Sequence, residues 1–170
     1  MVVVLIENKE NIENITYINY ICDKNDKNYD HLYVRHCLFH LFHHFIHLKE
    51  KVIYIVSDGG PHHFKVNTSI YLPKEIQRYN NTNSIHWIFY GSHHGKDLCD
   101  SHTAIVKEKI AEFVRKGWCI ESAYDIIKVV EESYIKNTYV YVIDNIYRKF
   151  KFGTTKIKGI KKFHHFIYHK

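Results

Sequence analysis

Asp58 stands at the end of an apolar, β-branched run, Lys51-Val-Ile-Tyr-Ile-Val56, and Gly59-Gly60-Pro61 follow it. A carboxylate at the C-terminal edge of a buried strand lies where open α/β sheets bind ligands. Glycines beside it let the backbone approach a metal or phosphate closely. The same residues also make an ordinary Asp-Gly turn. A second run, Ile85-His-Trp-Ile-Phe-Tyr90, leads into a polar turn carrying His93, His94, Lys96, Asp97, Cys99 and Asp100. Asp100 is then either a second acid at that edge or the N-cap of the next helix. Two converging carboxylates repel unless a cation neutralises them, and paired Mg²⁺ or Mn²⁺ ions are the usual solution in phosphodiester chemistry. Asp97 reads as a loop residue, and Glu108 lies too far into the helix to rank with the other two acids.

A different chemistry is written over the same turn. His93, His94, Cys99 and His102 have the spacing HH-x4-C-x2-H, which offers nitrogen and sulfur ligands to zinc without matching a standard finger. Lys65 after Phe64, and Lys96 beside Gly95, suit phosphate contacts or are plain surface lysines. A third group is the histidine-dense stretch after Asp30. The pairs His36/His40, His40/His44 and His43/His47 have helical i,i+4 spacing and could share a cation. No HExxH glutamate accompanies them, so a half-exposed helix face accounts for them better.

The elements that must position these groups follow from periodicity. Val2–Ile6 and Ile15–Cys22 read as antiparallel neighbours joined by the polar stretch 7–14. Asp30 is a good N-cap for a helix over Leu32–Leu48, whose apolar positions Leu32, Cys37, Leu38, Leu41, Phe42, Phe45 and Ile46 fall near helical spacing. Then come the strand Val52–Val56, a helical or irregular segment through Ile70–Asn80, and the strand Ile85–Tyr90. A helix over Ser101–Arg115 closed by Gly117, a helix over Ile120–Ser133 and a last strand Tyr139–Ile143 complete the order. Antiparallel strands followed by strands alternating with helices predict an α/β fold with a mixed sheet. This order matches the RNase H-like plan if one strand is missing at the front. The expected organisation is a domain over 1–147 and a basic C-terminal tail over 148–170, rich in lysine at Lys156–Lys162. That tail is either solvated and frayed or a phosphate-binding segment.

The chain has 170 residues, 45% of them hydrophobic and 15% aromatic, enough for one globular core. A net charge of +6 before counting 15 histidines favours a polyanionic partner, although an AT-rich coding sequence also inflates lysine. Four cysteines without framework spacing predict reduced thiols and an intracellular, nuclear or cytoplasmic, protein. Met1-Val-Val-Val-Leu-Ile6 is too short for a signal peptide or a membrane span, and no membrane partner is expected.

Three segments carry a resemblance. Ser57-Asp58-Gly59-Gly60-Pro61-His62-His63-Phe64-Lys65 is similar to S-D-G-x-x-x-x-F-K. Trp87 through Lys96, Asp100 and Lys107 resembles W-x-F-x-x-x-x-H-G-K-x-x-x-D-x-x-x-x-x-x-K. Lys158-Gly-Ile-Lys-Lys-Phe-His-His-Phe166 resembles G-[TI]-[RK]-x-[FM]-H-x-F. In this order they resemble DDE-type, Mutator-like transposases, proteins of transposable elements with RNase H-like catalytic cores. The resemblance spans about Ile15 to Phe166. It implies a Mg²⁺- or Mn²⁺-dependent enzyme of DNA recombination, with DNA as partner and the oligomeric state open. Asp58 matches the second catalytic acid and metal ligand, and Asp100 the third. Lys65, His94, Lys96 and Lys107 match motif residues placed near nucleic acid. The first catalytic aspartate of that family lies on a strand upstream of those that Val2–Ile6 and Ile15–Cys22 resemble. Asp23 and Asp26, in the loop before the first helix, do not replace it. The family's Gly-rich turn after the motif acid is Ser101-His102-Thr103-Ala104 here. The expectation is therefore a truncated catalytic domain with impaired activity. The alternatives are a non-catalytic nucleic-acid-binding remnant and a zinc-binding interaction domain.

Overall fold

A computed structural model describes residues 1–9, 12–22, 29–46, 52–57, 64–80, 82–90, 98–148 and 156–170. The fold is mixed α/β, with elements in the order β1 (Val2–Lys9), β2 (Ile12–Cys22), α1 (His31–His44), β3 (Val52–Ser57), α2 (Asn67–Ile70), α3 (Leu72–Asn80), β4 (Ser84–Phe89), α4 (Leu98–Arg115), α5 (Ala123–Glu132), β5 (Thr138–Ile143) and β6 (His165–His169). The chain divides into two compact units, Met1–Lys27 with Lys96–Asn145, and Asn28–Gly95 with Ile146–Lys170.

The first unit is a three-stranded sheet in the order β1-β2-β5 with α4 and α5 packed on it. β1 and β2 are antiparallel from Val2↔Asn19 to Lys9↔Ile12, and β2 runs parallel to β5 from Tyr17↔Thr138 to Cys22↔Ile143. The hairpin is longer than expected, because its ladder continues through the polar residues beyond Ile6. Backbone pairing does not require apolar side chains. The core joins Ile18, Tyr20 and Ile143 to Val106, Phe113, Val129 and Val130. Gly117 closes α4 as the spacing predicts: at φ +92° it lets Trp118 N–H reach the Phe113 carbonyl at 3.0 Å. α5 opens on a capping box in which the Asp125 carboxylate accepts from the Ser122 N–H at 3.0 Å and hydroxyl at 2.8 Å.

The second unit is a sheet in the order β3-β4-β6, with β3 parallel to β4 and β6 antiparallel to it. α3 packs on β4, and α1 on α2 and α3. Ile85, Trp87 and Phe89 form the buried face, joined by Ile70, Leu72 and Ile76. Asp30 caps α1 as expected, accepting from the Leu32 and Tyr33 amides at 3.0 and 3.1 Å and pairing with Arg148. α1 is shorter than the apolar spacing suggests, because Phe45 is already its C-cap.

Two expectations change. The strands form two three-stranded sheets instead of one, and among the described residues nothing pairs with the outer edge of β1 or of β3. Residues 148–170 are also more than a basic tail, since they supply β6. Gln77 donates to the Thr82, Asn83 and Tyr168 carbonyls, each at 3.2 Å, joining α3, the 82–83 turn and β6. Lys74 Nζ donates to the His169 carbonyl at 2.6 Å, and the Tyr168 hydroxyl to the Ile70 carbonyl at 2.5 Å. Phe166 and Tyr168 alternate inward along β6, and that period-2 signal was hidden by the lysines preceding it.

Candidate metal and nucleic-acid site

β3 and β4 run parallel and end level, with Ser57 opposite Phe89. The Tyr90 N–H continues the pairing by donating to the Ser57 carbonyl at 2.9 Å, and the Trp87 indole N–H donates to Ser57 Oγ at 2.8 Å. Asp58 is the next residue after β3, and His93 and His94 follow shortly after β4. The two strands thus end side by side at one carboxyl edge, where ligands bind in open α/β sheets. Asp58, His93, His94, Gly95, Lys96 and Asp97 themselves lie outside the described residues.

Asp100 is in the first turn of α4 and exposed, in the other unit. Its carboxylate has the sign that the positive end of a helix favours. Lys107 lies seven residues on, exposed on the same side of α4 as Asp100, since seven residues make nearly two turns. Lys107 is thus available to a polyanion.

Lys65 is a correction. It is 5% exposed, its Nζ donates to the Lys161 carbonyl at 2.8 Å, and it lies 5.5 Å from the centre of the Phe89 ring. Burial pushes its pKa down. A buried ammonium that donates to a backbone carbonyl braces the 160s segment. The exposed lysines of that segment are Lys156, Lys158, Lys161 and Lys162.

Half of the alternative zinc set is described, and both of its groups have other partners. His102 is buried in α4, with its ring stacked on Tyr17 at 4.1 Å and 9°. Its Nε2 accepts from Asn19 Nδ2 at 3.1 Å, and Asn19 also donates to the Tyr139 carbonyl at 3.3 Å. The proton of the neutral ring is therefore on Nδ1, and burial lowers the His102 pKa. The Cys99 thiol donates to the Val2 carbonyl at 3.6 Å. Among the described residues no three or more His, Cys, Asp or Glu side chains are grouped to hold a metal ion.

A family model described as a domain of unknown function, DUF8701, matches residues 1–170. The chain belongs to the DUF8701 family. No curated protein and no solved structure matches it. Among the described residues of this DUF8701 chain, no helix is long and apolar enough to cross a membrane.

Sequence reasoning did not single out the contacts among the signature segments. Ser57 meets Trp87, Lys65 meets Lys161, and the Phe89 and Phe166 rings meet edge to face at 5.8 Å. It also passed over Tyr54, His86 and His165, which share one face of β3-β4-β6. Register alone brings those three together, and no spacing along a single segment signals it.

Proposed function

We propose that this chain is a DNA-handling domain of DDE-transposase descent, with an RNase H-like fold and with Asp58 and Asp100 as its Mg²⁺- or Mn²⁺-binding acids. Contacts among the first signature segment, the Trp87–Phe89 part of the second and the third, all within one unit, carry this reading. Segments resembling one family's motifs, far apart in sequence, meet as parts of a single fold would. The order of antiparallel β1 and β2, then parallel β3 and β4 joined through helices, also agrees with the RNase H-like plan. A catalytic acid set of this kind would support in-line attack on a phosphodiester, with the metal ions stabilising the attacking and leaving oxygens. Lys107 and the exposed lysines Lys156–Lys162 would hold the phosphate backbone, with affinity that falls steeply as salt rises. A non-catalytic DNA-binding role is the second reading, favoured by the same exposed lysines.

The deciding experiment measures binding of a labelled DNA duplex across a salt series, together with Mn²⁺-dependent nicking of supercoiled plasmid. Salt-sensitive binding with weak nicking, which Asp58→Asn and Asp100→Asn each abolish while circular dichroism is unchanged, is expected. Salt-sensitive binding without nicking moves the assignment to the non-catalytic role. Absence of DNA binding at low salt rejects both.

A further inference from the structure

β3 and β4 pair Val52 with Ser84, Tyr54 with His86 and Val56 with Ile88, while β4 and β6 pair His86 with Ile167 and Ile88 with His165. Since residues directly opposite one another share a face, Tyr54, His86 and His165 lie together on the face away from Trp87 and Phe89. That face is open: Tyr54 is 63% exposed and Ile167 48%. Its centre is the histidine pair. His86 Nδ1 and His165 Nε2 are 3.1 Å apart, and their ring centres 5.2 Å. Tyr54 lies against the other side of His86, at 4.8 Å between ring centres.

Two imidazole nitrogens bound to one tetrahedral zinc, each at about 2.0–2.1 Å, stand roughly 3.3 Å from each other. The observed separation already comes within a few tenths of an ångström of that span, with the two donors supplied by adjacent, hydrogen-bonded strands. We infer that His86 and His165 form a two-imidazole chelate for a borderline divalent cation of the Zn²⁺ class, its remaining positions filled by water. Without metal, one ring N–H is shared with the other ring's lone pair. On binding, the donor ring passes to its other tautomer, so that both lone pairs face the ion and no net proton leaves. Imidazole suits zinc, copper and nickel and is a poor ligand for Mg²⁺, so this chemistry is separate from the acids of the proposed DNA site.

The test is a ZnCl₂ titration of the full chain followed by imidazole NMR, because the chain's 15 histidines make bulk stoichiometry uninformative. The first equivalent of Zn²⁺ should shift the His86 and His165 ring signals together. His86→Ala, at a half-buried position, and His165→Ala, at an exposed one, should each weaken that first site about a hundredfold through loss of the chelate. If the first equivalent moves other histidines and leaves these two unchanged, the inference fails. It fails equally if either alanine variant retains the site's affinity. Should a variant misfold, the titration of the unaltered chain decides alone.

Discussion

In the unit of β1, β2, β5, α4 and α5, helix ends are closed by their own neighbours: Gly117 and Trp118 for α4, Ser122 and Asp125 for α5. In the unit of β3, β4 and β6, the polar bonds reach across the chain. Lys65 holds the Lys161 carbonyl, Asn67 Oδ1 accepts from the Ile157 N–H at 2.8 Å, and Gln77 holds the Tyr168 carbonyl. Those caps are local and could be written by almost any helix-forming sequence, although the same unit also holds distant polar bonds, from Asn19 to His102 and the Tyr139 carbonyl and from Cys99 to the Val2 carbonyl. The second pattern needs particular residues at distant positions, and those are where the transposase-like signatures lie. Part of such a signature can therefore specify architecture instead of chemistry, as Lys65 does.

The largest expected effect is at Trp87, fully buried in the second unit and bonded to Ser57. Trp87→Ala should cost about 3–5 kcal/mol in urea unfolding. A loss under about 1 kcal/mol would mean that this residue does not anchor the sheet.

A pair of lysines comes next. Lys65→Ala should destabilise the chain by about 1–3 kcal/mol, since it removes a buried side chain and its bond to the Lys161 carbonyl, and should leave the salt dependence of DNA binding unchanged. Lys107→Ala should do the reverse: stability within about 0.5 kcal/mol of the parent, and a slope of log affinity against log salt shallower by about 1. The two substitutions, scored by urea unfolding and by DNA titration, separate brace from contact.

Acid gives the smallest effect and falls chiefly on α1. Burial, followed by the neighbouring His44, His36 and His43, lowers the pKa of His40 to about 4, and burial followed by Arg35 lowers that of His36. A histidine depressed in the folded state binds fewer protons than the unfolded chain does between about pH 6.5 and 4. Its contribution is complete above that window and is lost as pH falls through it. Allowing for the partial exposure of His40, moving from pH 7 to 5 should cost about 1 kcal/mol, and His40→Gln should remove most of that slope. Hydrogen exchange should show α1 amides losing protection before those of α5. The opposite order would place the acid-sensitive element in the other unit.

Most of the element order was readable from β-branched runs, helical spacing and punctuation by Asp30 and Gly117. Those signals act within a few residues, and so they survive in a single sequence. What was not readable depended on distant partners. The polar half of the β1–β2 hairpin is set by backbone pairing, β6 by a strand far earlier in the chain, and the burial of Lys65 by a carbonyl at position 161. Lysine is normally a surface residue, so only tertiary structure reveals one turned inward. β3 and β4 end level, the acid and histidines that follow them lie outside the described residues, and Asp100 and Lys107 belong to a helix of the other unit.

The interleaving of the units has a consequence for how the chain is made. Each unit is built from two separated stretches, the first closing with β5 and the second with β6. During translation, β3 and β4 emerge long before the strand that pairs with β4, and β1 and β2 long before β5. Until then β1 pairs with β2 and β3 with β4, while β2 and β4 each lack one neighbour. Nascent chains should therefore expose the open edges of β2 and β4 to ribosome-associated chaperones until β5 and β6 are made.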